Sequence, residues 1–201
     1  MNFQELALVA RRIEPWSWCG VTATEVGLLG ATLGHNSEAA CVDELRASST
    51  AARYRSRGAQ RLKTRRLSDA SNLSSGRSAY QIAGNAIEQL WEFLVTGRQR
   101  IETSLDVRAG TNFQHQAWDI VRTIPFGETR SYGWVAEALG KPTATQALGT
   151  AVGSNQMLIF VPCHRVVGSR GIGGYSRGTE IKRRLLDHER SWPRMLPILN
   201  D

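Results

Sequence analysis

The chain has 201 residues, enough for one medium domain or a small domain plus a larger one, and 41% of them are hydrophobic, which is ordinary for a soluble globular protein. Its formal net charge of +7 favours a polyanionic partner, nucleic acid first, the alternative being a basic surface with no particular partner. No apolar run is long enough to cross a bilayer, and residues 1–16 lack the pattern of a secretory signal, so we expect a cytoplasmic protein with no membrane partner.

The number and spacing of the cysteines narrow the class of protein further. Cys19, Cys41 and Cys163 are odd in number and show no paired spacing, which disfavours both a disulfide framework and a paired-cysteine zinc module. A reducing, intracellular compartment fits this pattern best.

Residues 1–108 are predicted to form a small α/β domain. Residues 16–34 combine β-branched residues with glycines, which predicts a hairpin that turns near Glu25–Gly27. A short helix is predicted over residues 37–48, with Ser37 as its N-cap.

A second helix and a strand are predicted later in this domain. The apolar residues of segment 80–97 recur at helical spacing, and Gly97 is a suitable end for the helix. Residues 100–108 resemble a strand.

Between the two predicted helices, residues 48–76 form a basic and serine-rich segment. It carries seven cations and no acidic residue from Arg53 to Arg66, with few apolar residues. This composition predicts a long exposed loop that either contacts phosphate or is simply solvated.

Residues 109–201 are predicted to be mostly helical, which makes the whole chain an α+β protein. A helix with apolar periodicity follows a possible cap at Thr111. Two short helices are then predicted over residues 131–140 and 141–155, the second capped by Thr143.

These two short helices are a candidate helix-turn-helix. The second is rich in Ala, Gly and Thr, and its slim sides suit a close approach to another backbone or a nucleic-acid groove. Two packed helices without DNA are the alternative, because the motif is common and weakly specified.

The stretch IFVPCHRVVG, residues 159–168, places a cysteine at the end of an apolar run, between a proline and a histidine. A thiol becomes a good nucleophile when a base, a cation or a helix N-terminus favours its ionised form. His164 and Arg165 follow Cys163 directly and offer such an environment. On this evidence alone, an inert buried cysteine is the more common alternative.

A helix predicted over residues 179–190 offers a partner for this histidine. Ile181, Leu185 and Glu189 recur at intervals of four residues and share one apolar face, from which we expect Lys182 to point away. A carboxylate on that face needs a hydrogen-bond partner, and an imidazole supplies one. The segments thus predict a Cys–His–Glu relay, unless Glu189 is solvated at a fraying helix end.

At this point the chain resembles the O6-alkylguanine-DNA alkyltransferases, also called methylated-DNA–protein-cysteine methyltransferases. PCHRVV at residues 162–167 matches the active-site signature of that family. GSNQMLIFVPCHRVV, FGETRSYGWVA and GGYSRGTEIKRRLLDHE match its neighbouring motifs and contain Asn155, Tyr132 and Glu189. The resemblance is close over residues 111–190 and looser over 15–108.

The resemblance implies single-turnover DNA repair. Cys163 would attack the alkyl group on O6 of a flipped guanine and keep it as a thioether, so no cofactor is needed. His164 would take the thiol proton through a water molecule, with Glu189 behind it. Tyr132 would donate to guanine N3, and Asn155 would brace the turn before the cysteine segment.

The resemblance also implies a base pocket and a DNA surface. The main-chain carbonyls of Cys163 and Val166 would accept from the exocyclic amine of guanine. Tyr175 and Ser176 would lie in the glycine-rich loop beside the base, with the main chain of Ser176 bonded to O6. We expect a monomer whose contacts with double-stranded DNA come from four side chains: Lys141, Thr143, Gln146 and Arg165.

Three features depart from the family pattern or fail to complete it. Gln146 occupies the place of an arginine that normally fills the space of the flipped base, which predicts weaker duplex binding or extrusion. The loop from Cys163 to Tyr175 is one residue shorter than in well-known members of that family. Cys19, Cys41 and His35 do not complete the zinc site that some members carry, so we expect no metal.

The sequence therefore predicts direct repair of O6-alkylguanine in DNA by transfer of the alkyl group to Cys163. The alternative from another class is a lesion-binding protein that does not react, with base flipping impaired by Gln146. A Cys–His–Glu hydrolase is a third hypothesis, but we identify no oxyanion hole for it.

Overall fold

The computed structural model describes residues 6–48, 62–64, 78–97, 101–107 and 110–190, and for 62–64 only the backbone. The chain divides into two compact units, Met1–Ala109 with Gln156–Leu158, and Gly110–Asn155 with Ile159–Asp201. None of the described helices is both long and apolar enough to cross a bilayer.

The first unit contains a four-stranded sheet in the order β3-β2-β1-β4. β1 pairs antiparallel with β2 and parallel with β4, and β2 pairs antiparallel with β3. The strands are β1 (Leu6–Ile13), β2 (Ser17–Thr24), β3 (Leu28–His35) and β4 (Leu62–Thr64). The hairpin predicted over residues 16–34 is therefore correct.

Two helices in the described residues accompany this sheet. Helix α1 (Glu38–Ala47) begins after Ser37, whose hydroxyl accepts from the Ala40 amide, as predicted. Helix α2 (Ala79–Thr96) ends at Gly97, which has a φ of 70° that an L side chain rarely adopts. The apolar stripe of α2 packs on β1 and β2 and forms the core of the unit.

One strand of this unit was not predicted, and two expectations need correction or lie outside the described residues. β1 was not predicted, because its run of leucine and alanine is buried on both sides and does not alternate. Residues 101–107 form only an isolated bridge between Leu28 and Leu105, not a strand. The loop expected over 48–76 lies mostly outside the described residues, and its residues 62–64 form β4.

The second unit is mostly helical, and together the two units confirm the predicted α+β class. Its helices are α3 (Asn112–Arg122), α4 (Tyr132–Ala138), α5 (Thr145–Gly153) and α6 (Thr179–His188). Two short strands, β5 (Arg130–Ser131) and β6 (Val166–Val167), pair in parallel between these helices.

Of the two N-caps predicted for this unit, one is confirmed by the structure and the other is wrong. Thr111 and Gln114 form a reciprocal capping box at the start of α3. Helix α5, in contrast, begins after Ala144 without a side-chain cap, and Thr143 is exposed. The prediction of Thr143 as N-cap is wrong, because the Lys141–Ala144 turn delays the helix start by one residue.

Candidate active site

Cys163 begins a single 3-10 turn, Cys163–Arg165, between a buried apolar run and strand β6. The turn is closed by main-chain hydrogen bonds from Cys163 to Val161 (2.8 Å) and from Arg165 to Pro162 (2.9 Å). Pro162 has no amide hydrogen and ends the run, so the cysteine lies at a fixed corner of the backbone. The residue is only 5% exposed.

Asn155 fixes the sulfur of Cys163 in place. It follows the C-terminal end of α5, and its Nδ2 group donates to Val161 O at 2.9 Å and to Cys163 Sγ at 3.0 Å. One amide group therefore holds both the backbone before the nucleophile and the nucleophile itself. This contact agrees with the bracing role that the family resemblance implies for Asn155.

The Cys163 thiol is protonated at neutral pH in the resting protein. Burial raises its pKa above the ordinary value of 9.0, and the Asn155 hydrogen bond and the Lys182 charge offset only part of that rise. Reaction therefore requires a base that takes the proton as the sulfur attacks.

His164 and Glu189 form a buried pair beside this thiol. Nε2 of His164 lies 2.7 Å from Oε1 of Glu189, and both side chains are fully buried. Glu189 follows the last residue of α6, whose buried face carries it inward. The predicted pairing of these residues is thus present in the structure.

The charges of the pair are set by opposing effects. Burial raises the pKa of Glu189, but the hydrogen bonds and charges of His164 and Arg165 outweigh it and lower the pKa to about 2. An ionised carboxylate only accepts hydrogen bonds, so Nε2 of His164 carries a proton and Nδ1 is the basic nitrogen. Burial lowers the pKa of His164 below 6.5, against the influence of Glu189, which leaves the ring neutral and able to act as a base.

Arg165 lies inside the unit rather than on a DNA surface, and this corrects our expectation. The residue is 8% exposed, and its Nε donates to Oε2 of Glu189 at 2.9 Å. Its remaining nitrogens donate to Oε1 of Glu189 at 3.0 Å and to Ile124 O at 2.7 Å. A guanidinium that donates two hydrogen bonds to a buried carboxylate has a structural role, because its donors are directed into the protein and not toward DNA.

The main chain completes the surroundings of Glu189. The Gly127 amide donates to Oε2 at 3.1 Å, and Gly127 has a φ of 77° that favours glycine. The Arg165 guanidinium also lies 5.7 Å from the centre of the Phe126 ring. The carboxylate therefore receives donors from two separate segments of the chain, His164–Arg165 and Gly127.

Two tyrosines lie close enough to Cys163 to respond to its charge. Tyr132, the first residue of α4, is half-buried, and burial followed by the charge of Cys163 raises its pKa above 10. The Tyr175 hydroxyl is buried, and its pKa is raised well above the ordinary value for the same two reasons. Both hydroxyls therefore keep their protons at neutral pH and can donate hydrogen bonds.

Lys182 is the residue of this site that sequence reasoning missed. We expected it to point away from the apolar face, but it is 0% exposed, and its Nζ donates to Val166 O at 2.6 Å. The buried residues of α6 are Lys182, Leu185 and Leu186, and Glu189, the residue after the helix, continues them at intervals of three and four residues. That spacing is the usual helical stripe and was available in the sequence as a signal.

The remaining predicted site residues differ in how exposed they are. Val166 is fully buried in β6, whereas Ser176 is exposed. Lys141 and Gln146 are also exposed, and Nζ of Lys141 lies 5.1 Å from the centre of the Phe113 ring. Within the part of the chain that the structure describes, no group of three or more His, Cys, Asp or Glu side chains is placed to hold a metal ion.

Comparison with known proteins agrees with this arrangement. Residues 112–191 match the family model described as the DNA binding domain of 6-O-methylguanine DNA methyltransferase. A methylated-DNA–protein-cysteine methyltransferase of Methanosarcina acetivorans is 37% identical over 131 residues, which are 60% of this chain and 83% of that protein. The chain belongs to the methylated-DNA–protein-cysteine methyltransferase family.

Two mycobacterial comparisons add to this result. The methylated-DNA–protein-cysteine methyltransferase of Mycobacterium tuberculosis is 45% identical over 107 residues, 53% of this chain and 64% of that protein. The chain thus matches slightly less than two thirds of the length of this relative. The crystal structure of Mycobacterium tuberculosis OGT in complex with DNA aligns with a TM-score of 0.67 at 27% identity, covering 92% of this chain and 93% of the other.

Proposed function

We propose that this protein repairs DNA by moving the alkyl group of an O6-alkylguanine onto Sγ of Cys163, once per protein molecule. The observation that carries the proposal is the buried arrangement of a thiol held by Asn155 next to the His164–Glu189 pair. A cysteine hydrolase would need donors directed at a developing oxyanion, whereas alkyl transfer needs only a thiolate and a leaving group that gains a proton.

The proposed reaction is a single displacement. The Cys163 proton passes through a water molecule to His164, and the sulfur forms a bond to the alkyl carbon as the bond from that carbon to guanine O6 breaks. The leaving guanine takes a proton, so the products are a thioether and an ordinary guanine. The neutral His164 ring supports this step, because a protonated ring would not accept the thiol proton.

The same proposal gives roles to the residues around the base. Tyr132 donates to guanine N3, and its raised pKa keeps the required proton on the hydroxyl. The main-chain carbonyls of Cys163 and Val166 accept from the exocyclic amine, and the main chain of Ser176 bonds O6. The target base is extruded from the duplex to reach these groups, because a stacked base hides O6.

The DNA surface is proposed to be the outer face of α5. Gln146, Gly149 and Gly153 share that face, and a side-chain carbon added at either glycine would meet nothing within 4 Å. A glycine inside a helix costs about 1 kcal/mol relative to alanine, and no packing in the described residues requires it here. A slim helix face suits insertion into a DNA groove, with Lys141 and Thr143 at its start.

Intact-protein mass spectrometry tests this function. After incubation with a duplex oligonucleotide containing O6-methylguanine, we expect one methyl group per protein molecule, mapped to Cys163, and none in Cys163→Ala. The stoichiometry should stop at one, as a consumed monomer requires, and size-exclusion chromatography with light scattering should give the mass of a single chain. Binding to the lesion without a mass increase would instead support the lesion-binding alternative.

A further inference from the structure

Lys182 is a fully buried amine placed between two segments that enclose the proposed base pocket. Its Nζ donates to Val166 O in β6 at 2.6 Å and to Gly174 O in the following loop at 3.1 Å. Burying an ammonium group without compensation costs several kcal/mol, so such groups are retained where their hydrogen bonds or charge are needed. Neither carbonyl belongs to α6, so the lysine acts on parts of the chain outside its own helix.

The charge of Lys182 reaches the reacting side chains. It favours the ionised form of Cys163 and disfavours the protonated form of His164. Burial lowers the pKa of Lys182 itself to about 8, with Cys163 opposing that change, so the amine remains mostly protonated at pH 7. A cation close to a thiol shifts the balance toward thiolate without taking part in proton transfer.

Resting on the proposed function, we propose that Lys182 is a positioning residue that ties the Val166 and Gly174 carbonyls together and electrostatically favours the Cys163 thiolate. Removing it affects the thiol even when no DNA is present. Loss of the tie also releases the Val166 carbonyl, which is one of the expected acceptors for the guanine amine.

The loop at this position has little room to compensate. Gly173 has a φ of 72°, and a side-chain carbon added there would lie 3.2 Å from the Gly168 nitrogen. The same added carbon would lie 3.4 Å from the Tyr132 ring and 3.6 Å from Nζ of Lys182. The backbone of the loop thus passes close to both side chains, and the lysine bonds it directly.

The test measures thiol reactivity separately from DNA repair. Lys182→Met, Lys182→Gln and wild-type protein are treated with iodoacetamide over a range of pH, and labelling of Cys163 is followed by peptide mass spectrometry. Arg183→Met is the matched control, because it also removes one cation from α6 but its side chain is 48% exposed. Methyl transfer from the O6-methylguanine duplex is measured in parallel, and thermal unfolding establishes that each variant is folded.

We expect both Lys182 variants to label about tenfold more slowly at pH 7, where the amine is mostly protonated, because an opposite charge nearby shifts a pKa by about one unit or more. Methyl transfer should fall by a larger factor, since the Val166 and Gly174 carbonyls also lose the donor that positions them. Arg183→Met should match wild type in labelling. Lys182→Gln retains a donor for one carbonyl, so it tests the effect of the Lys182 charge on labelling if Lys182→Met does not fold.

A wild-type labelling rate at pH 7 in a folded Lys182 variant would overturn the inference. The labelling reaction needs no nucleic acid, so it tests Lys182 even if the wild-type protein takes no methyl group from DNA. If the proposed function is wrong, the wild-type protein takes no methyl group from DNA. If the role of Lys182 is wrong, the Lys182 variants label Cys163 as fast as the wild type does.

Discussion

The side-chain amide of Asn155 lies 3.0 Å from Sγ of Cys163 and donates a hydrogen bond to it. Burial still keeps the thiol pKa raised, but this hydrogen bond is the largest of the effects that lower it, ahead of the Lys182 charge. The amide therefore both orients the sulfur and favours its ionised form. His164 is left to take the proton, and the charge of Lys182 adds to the effect of the amide.

Asn155→Ala should reduce both stability and reactivity. Asn155 also donates to the Val161 carbonyl, and a buried carbonyl without a donor costs about 1–3 kcal/mol of unfolding free energy. The Cys163 pKa should rise further, since the donor that lowers it is gone. Urea unfolding and iodoacetamide labelling measure the two effects, with the exposed Asn112→Ala as control. An unchanged unfolding free energy would show that the amide contributes no net stability.

Arg165→Gln should weaken the fold and leave DNA affinity unchanged. Removing one member of a buried ion pair costs about 3–5 kcal/mol, because Glu189 then remains buried without its main partner. The folded fraction should bind duplex DNA with the wild-type salt dependence, which fluorescence anisotropy measures. The exposed Arg170→Gln serves as the stability control. A smaller salt dependence for Arg165→Gln would mean that this side chain contacts phosphate after all.

Glu189 should make the protein sensitive to acid. Its folded-state pKa of about 2 lies below the ordinary value of 4.5, so its ionised form stabilises the fold above pH 4.5, and that contribution is lost as the pH falls toward 2. Glu189→Gln should be less stable at pH 7 and lose less stability over this range. Urea unfolding at several pH values tests this. Parallel curves for the two proteins would contradict the assignment.

Gln146→Arg should speed repair of duplex DNA. Gln146 is exposed on the outer face of α5, where arginine supplies charge and a planar fork that glutamine lacks. We expect methyl transfer from duplex DNA to rise about tenfold, the equivalent of ~1.4 kcal/mol, with iodoacetamide labelling unchanged. Gln116→Arg adds the same charge on the exposed side of α3 and controls for a general gain in DNA affinity. Equal gains in both variants would show that position 146 has no special role.

Local sequence signals were sufficient where a residue acts on its own segment. Ser37, Thr111 and Gly97 lie at the helix ends that their chemistry predicts. Glu189 lies on the inner face of α6 because periodicity determines which side of a helix packs. The resemblance to a known family pointed to Asn155 as a brace of the turn before Cys163, and the structure adds its hydrogen bond to the sulfur, which no local pattern indicates.

Local signals failed where distant contacts decide the outcome. The resemblance placed Arg165 on the DNA surface, but Glu189 holds it inside the unit. Lys182 was expected to point away from the face of Ile181, Leu185 and Glu189, although its spacing from Leu185 and Glu189 matches the buried face. In both cases the compensating partner is far along the chain or a backbone carbonyl, and neither is visible in a short window of sequence.

The donors and charges that surround Cys163 come from both sides of it in the chain. Because Lys182 and Glu189 follow Cys163 in the chain, the site is complete only once α6 has docked on the segment that carries the cysteine. Before that the cysteine is an exposed, ordinary thiol, whereas in the folded protein burial raises its pKa and shields it from other electrophiles. For a thiol proposed to react only once, the docking of α6 reserves that single reaction for its substrate.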